Sequence, residues 1–71
     1  MPYVLIQVTR EGVTPGQKAR LIEGSTRLLA DVLAKDPRTT HVVIQEIDTD
    51  NWGVAGQPVT VLRQAARTSN P

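Results

Sequence analysis

A proline stands directly after the first methionine of this 71-residue chain, and that placement carries chemistry. Removal of Met1 leaves Pro2 as a free secondary amine. An α-amino group titrates at about 7.7 to 8.0. An apolar pocket disfavours its charged form, and a neighbouring cation does the same, so either lowers that value towards neutrality. A base poised near the working pH is what general acid–base catalysis requires. While Met1 stays attached, Pro2 is a tertiary amide with no lone pair for proton transfer.

Few other chemistries are open to the chain. Cysteine is absent, which excludes disulfides and thiolate metal sites, and the single histidine, His41, cannot form a histidine cluster. No metal and no cofactor is expected. The net charge of +1 comes from 8 basic and 7 acidic residues, well interspersed. Nucleic acid would call for a basic stripe with stacking aromatics, so none is expected as a partner. The apolar runs are far shorter than a membrane span, and the first residues lack the basic and apolar regions of a signal peptide. The expectation is a cytoplasmic protein without membrane contact.

The elements that must position Pro2 follow from hydrophobic periodicity. Residues 2–9 read as a strand, with Val4, Ile6 and Val8 on one face and Tyr3, Leu5 and Gln7 on the other. Apolar residues on both faces predict a strand covered on both sides. Thr14-Pro15-Gly16-Gln17 opens a helix. Thr14 is an N-cap, Pro15 suits the first helical position, and Gln17 completes a capping box. Leu21, Ile22, Ser25, Leu28, Leu29, Val32 and Leu33 form one face, with Arg20, Glu23, Arg27 and Asp31 opposite, for roughly five turns. Gly24 inside this helix costs about 1 kcal/mol against alanine, for which close packing is the only sequence-level account. Lys35-Asp36-Pro37 ends the helix.

Residues 40–47 make a second strand, giving a β-α-β unit with parallel strands and a right-handed crossover. The remainder is turn-rich. Gly53 and Gly56 flank Val54-Ala55, residues 59–62 read as a short edge strand or hairpin arm, and residues 68–71 as a frayed end. The whole, residues 1–71, reads as one α/β (α+β) domain with a C-terminal hairpin or arm. Two strands and one helix do not make a stable sheet alone, and a chain this short has a marginal core. With disulfides and metals excluded, self-association is the remaining staple.

Met-Pro followed by a strand, T-P-G-Q-K at the helix start, the strand VVIQEI and the stretch DNWGVAG together resemble the 4-oxalocrotonate tautomerase family. The resemblance spans about residues 2–62. It implies a tautomerase fold completed by oligomerisation, commonly a hexamer built as a trimer of dimers. It also implies an amino-terminal proline that moves a proton in enol or keto acids without cofactor or metal. The expected partner is a small-molecule carboxylate, held in that family by arginines, whose forked, always-charged guanidinium suits a carboxylate.

Here the chain departs from the family pattern. The arginine of the loop before the helix aligns near Gly12 or Val13, with Arg10 as the substitute from the same loop. The arginine near the start of the second strand aligns with His41, and Arg38 lies three residues upstream. His41 is a candidate for hydrogen-bonding a keto oxygen. Trp52 occupies the place of an aromatic that walls the family's active site and keeps it apolar. Arg20, Arg27, Arg63 and Arg67 read as surface charges, and Glu46, Asp48 and Asp50 as a solvated strand end and turn. Two alternatives stay open. One is hydration or dehalogenation of an unsaturated acid, with Glu46 activating water. The other is a non-catalytic oligomeric protein that binds a small molecule.

Overall fold

The computed structural model describes residues 1–68. Strands β1 (Tyr3–Thr9) and β2 (His41–Ile47) lie side by side and parallel, in register from Tyr3 opposite His41 to Thr9 opposite Ile47. One further bond extends the ladder at each end. The His41 N–H donates to the Pro2 carbonyl at 3.0 Å, and the Arg10 N–H donates to the Ile47 carbonyl at 2.8 Å.

The crossover is helix α1 (Pro15–Leu33), and its start follows the sequence cues. The Thr14 hydroxyl accepts from the Gln17 N–H at 3.1 Å, while the Gln17 side-chain oxygen accepts from the Thr14 N–H at 2.9 Å. Each bond satisfies a donor that the first helical turn leaves without a partner. The helix stops at Leu33, just before the predicted Lys35-Asp36-Pro37. Ala34 takes the left-handed conformation (φ 55°) and turns its N–H back to the Leu29 carbonyl. Asp36 then caps a 3-10 turn, Pro37–Thr39, that leads into β2.

Alternation along the strands divides the sheet into two unlike faces. Val4, Ile6, Val8, Val42, Ile44 and Glu46 are half-buried on the side of α1. Tyr3, Leu5, Gln7, His41, Val43 and Gln45 lie on the other side and are exposed, Tyr3 at 62%. The expectation of strands covered on both sides therefore fails within one chain, because α1 is the one long helix among the described residues and it lies on one face only. Part of the helix's apolar stripe is also left over. Leu28, Val32 and Leu33 face solvent, Val32 at 69%. Gly24 does not pack closely against its own chain either, since a Cβ built there would meet nothing within 4 Å.

After β2 a 3-10 turn, Thr49–Asn51, leads to a hairpin of β3 (Gly53–Val54) and β4 (Gln57–Pro58). Its two-residue loop, Ala55 and Gly56, has φ of 54° and 81°. Both values are positive, as the twist-matched turn of a tight hairpin demands. Residues 59–62 then open a second helix, α2 (Val59–Thr68), rather than an edge strand or hairpin arm. The β-branched run Val59-Thr60-Val61 suggests a strand locally. Tertiary contacts override it: the Val59 N–H donates to the Trp52 carbonyl at 2.8 Å, and Thr60 is tied by its hydroxyl to Thr49 and Asp50. The good helix formers Leu62, Arg63, Gln64, Ala65 and Ala66 continue the turn. Val59, at 4% exposure, is the one buried hydrophobic residue among those described. Beyond Thr68 the expected frayed end lies outside the described residues.

The radius of gyration is 16.2 Å, against about 11 Å for a compact domain of this length. The accessible surface is 5460 Å², where a compact monomer of this mass would expose about 4,300 Å². Among the described residues, no helix is long and apolar enough to cross a membrane.

Candidate active site

Parallel pairing puts the starts of β1 and β2 at one end of the sheet, and with them Pro2, Arg38 and His41. Met1 is 86% exposed, so the bond to Pro2 is open to processing. Pro2 is half-buried, its carbonyl fixed by the His41 N–H. The His41 side chain is exposed on the open face, opposite Tyr3. Arg38 is forked onto Asp36, with Nη2 to Oδ2 at 2.9 Å and Nε to Oδ1 at 3.2 Å, while the Arg38 N–H donates to the same carboxylate at 2.9 Å. These bonds, side-chain first, hold the Asp36 carboxyl below the usual carboxylate range and push the Arg38 guanidinium up.

Arg10 and Trp52 lie at the opposite end, beyond the last residues of the two strands. Seven residues of strand separate the ends, about 20 Å at 3.3 Å per residue. Arg10 follows β1 directly, and its Nε donates to Asp48 Oδ1 at 2.8 Å. Its Nη2 reaches the Glu46 carbonyl at 3.5 Å. Trp52 is half-buried between the 3-10 turn and the hairpin. Pro2 and the Arg10–Trp52 pair therefore do not meet within one chain.

Three residues take positions that sequence reasoning did not give them. Glu46, read as part of a solvated strand end, is 18% exposed and accepts from Lys18 Nζ at 2.7 Å. Its carboxyl is lowered chiefly by that hydrogen bond, against the opposing effect of desolvation. Strand alternation carries the signal, since Glu46 shares the face of Val42 and Ile44 beneath α1. Asp48 is the partner of Arg10.

Arg63, read as a surface charge, donates from Nε to Glu11 Oε2 at 3.0 Å and from Nη2 to Oε1 at 3.3 Å. The Glu11 hydrogen bonds push its guanidinium up. Thr9 Oγ1 also donates to Glu11 at 2.6 Å. No local pattern announces the Arg63–Glu11 pair, because it joins residues 52 apart through a helix that the sequence disguises as a strand.

Two clefts adjoin here with Arg63 on the wall of both. One is polar and includes Arg10, Glu11, Thr49 and Thr60. The other is largely apolar, formed by Val8, Trp52, Val54, Val59 and Leu62. A further depression, beside Val13, Gln17, Arg20 and Leu21, holds none of the candidate residues. No cluster of three metal-ligating side chains occurs among the described residues.

Residues 2–62 match the family model described as tautomerase enzyme. The chain belongs to the tautomerase family. It is accordingly an isomerase of the keto–enol type. Among curated relatives, probable tautomerase K2 of Dickeya dadantii (strain 3937) is 54% identical over 66 residues, covering 93% of this chain and 98% of that protein. The 2-hydroxymuconate tautomerase of Pseudomonas putida is 36% identical over 56 residues, covering 79% and 87%. The crystal structure of DmpI from Helicobacter pylori superposes with a TM-score of 0.83 at 40% identity, covering 89% of this chain and 97% of that one. The β-α-β unit with its hairpin is thus the family's fold.

Proposed function

We propose that this tautomerase moves a proton within enol, dienol or keto acids, with Pro2 as general base after Met1 is removed. Arg10 anchors the substrate carboxylate, and Trp52 supplies an apolar wall. His41 and Arg38 stand at the base end to bind substrate oxygen. The observation that carries this reading is the tautomerase match over residues 2–62, and Pro2 lies at the opposite end of the sheet from Arg10 and Trp52. A complete site then needs two copies, the base end of one facing the binding end of another.

The surface and shape of the chain support assembly. Its extended form, the uncovered sheet face and the exposed stripe on α1 all leave apolar area for a second copy to bury. A symmetric homo-oligomer satisfies this most directly, and the proposal takes the hexamer implied by the family resemblance. A cysteine-free chain needs no oxidising compartment, in keeping with the cytoplasm as its setting. Hydration through Glu46 is the weaker reading, because Lys18 already holds that carboxylate under α1.

The test is ketonisation of 2-hydroxymuconate and of phenylenolpyruvate by protein whose intact mass shows loss of Met1. Pro2→Ala is expected to lower turnover about 100-fold or more. Activity no higher than that of the Pro2→Ala control on either compound would refute the proposal.

A further inference from the structure

Arg10 and Asp48 meet because of the register of the two strands. Thr9 pairs with Ile47, and the Arg10 N–H donates to the Ile47 carbonyl at 2.8 Å, so the residues that follow, Arg10 and Asp48, stand opposite each other. The guanidinium that the proposed mechanism uses to hold a substrate carboxylate therefore already holds one, through Nε to Asp48 Oδ1 at 2.8 Å. Its Nη2 reaches the Glu46 carbonyl at 3.5 Å. Both donors on the edge that grips a carboxylate at two points are thus engaged.

The neighbouring pair in the same polar cleft is built differently. Glu11 meets Arg63 at two points and also accepts from the Thr9 hydroxyl, so three hydrogen bonds tie the loop after β1 to α2. Asp48 meets Arg10 at one point, with side chains 62% and 59% exposed. It precedes the 3-10 turn Thr49–Asn51 without a side-chain capping bond. An exposed one-point pair contributes little to stability. Asp48 is neither a brace nor a cap, and its charge sits where a substrate's charge must arrive.

Either way of docking meets that charge. A carboxylate that takes the Nε edge of Arg10 must displace Asp48. One that takes the outer edge stays beside it and is repelled as a like charge. The surroundings do not offset this. Arg63 is paired with Glu11, Asp50 stands beside the cleft on Thr60, and at the base end Arg38 is already forked onto Asp36.

We infer that Asp48 is an affinity-determining residue of the binding end, a resident carboxylate that competes with the substrate carboxylate for Arg10. The inference rests on the proton-transfer reading above, in which Arg10 is the anchor, and adds a residue that works against binding. Asp48 holds Arg10 between turnovers and yields it as substrate arrives.

The experiment measures kcat and KM for 2-hydroxymuconate and phenylenolpyruvate with the assembled, Met1-free enzyme and its Asp48→Asn variant. The substituted amide keeps an oxygen for Arg10 and carries no charge. KM is expected to fall several-fold on both compounds, the size that an exposed ion pair allows, with the change falling on KM rather than on kcat. Placed in an Arg10→Ala chain, Asp48→Asn is expected to lose most of that gain, a coupling that a merely structural role would not produce. Asp48→Ser, which also lacks the charge, repeats the test on a second side chain.

A KM unchanged or raised in the folded, assembled Asp48 variants overturns the inference and leaves Pro2 catalysis and the Arg10 anchor standing. A fall in KM of equal size with and without Arg10 overturns competition for that guanidinium. A wild-type KM in Arg10→Ala overturns the anchor and this inference with it, while Pro2 catalysis stands. Turnover of neither compound by the wild type overturns both readings.

Discussion

At the end of the sheet that holds Pro2, Arg38 and His41, the side-chain interactions are local: Arg38 reaches back two residues to Asp36, and a single backbone bond joins Pro2 to β2. At the other end, Arg10 meets Asp48 across 38 positions of sequence and Arg63 meets Glu11 across 52. Thr49, Thr60 and Asp50 tie the turn to α2, and Val59 fills the one buried hydrophobic position among the described residues. One end is a plain strand start that carries Pro2. The other is a built structure whose shape depends on contacts distant in sequence. A general base needs little more than a free lone pair and a suitable environment. Carboxylate binding, as proposed for this end, needs several side chains held in mutual register, and long-range ties provide such register.

The most decisive way to break this comparison is complementation. Pro2→Ala and Arg10→Ala chains are each expected to be impaired, the second roughly 10- to 100-fold through loss of charged hydrogen bonds. Mixed and reassembled in equal amounts, they should recover roughly a quarter of wild-type turnover by statistical pairing in a symmetric assembly. Mixed oligomers seen by native mass spectrometry without such recovery would place both residues in one copy's site.

Next in size, Val59→Ala should cost about 2 kcal/mol by removing two buried methyl groups, read as a lower thermal midpoint at fixed protein concentration. An equal cost for the exposed Val32→Ala would show that assembly buries the α1 stripe as deeply as Val59.

Gly24→Ala should stabilise α1 by about 1 kcal/mol, because the added Cβ meets open space in the chain. Destabilisation, measured in the same melts, would mean that another copy packs against Gly24.

The smallest effect concerns Glu46. Lys18 lowers its carboxyl, so the pair contributes stability at neutral pH that persists until pH falls below the ordinary glutamate range. Denaturation curves of wild type and Glu46→Gln should differ at neutral pH and converge in acid. A gap that stays constant through the acid range would deny the ion pair its role.

Much of the scaffold was legible in the residues. Thr14, Pro15 and Gln17 announce the helix start because capping is local chemistry, and alternation in the two strands announces their pairing partners' faces. What escaped was long-range. Val59-Thr60-Val61 reads as a strand because β-branched propensity is weak beside the bonds from Trp52, Thr49 and Asp50 that start α2. Arg63 looked like a surface charge for the same reason: its place at the junction of two clefts exists only once α2 has docked. Glu46 carried a readable alternation, but its partner Lys18 comes from the crossover helix. The uncovered sheet face is a different case. Its apolar residues predict a cover that the chain itself does not supply, because α1 lies on the other face.

The parallel direction of β1 and β2 has one consequence for the living cell. Strands that start together place Pro2 and Arg10 at opposite ends of one chain, so the proposed mechanism makes an isolated copy inert. Turnover per chain should then fall steeply on dilution through the dissociation constant of the assembly. Expression level would set how fast each molecule works as well as how many there are.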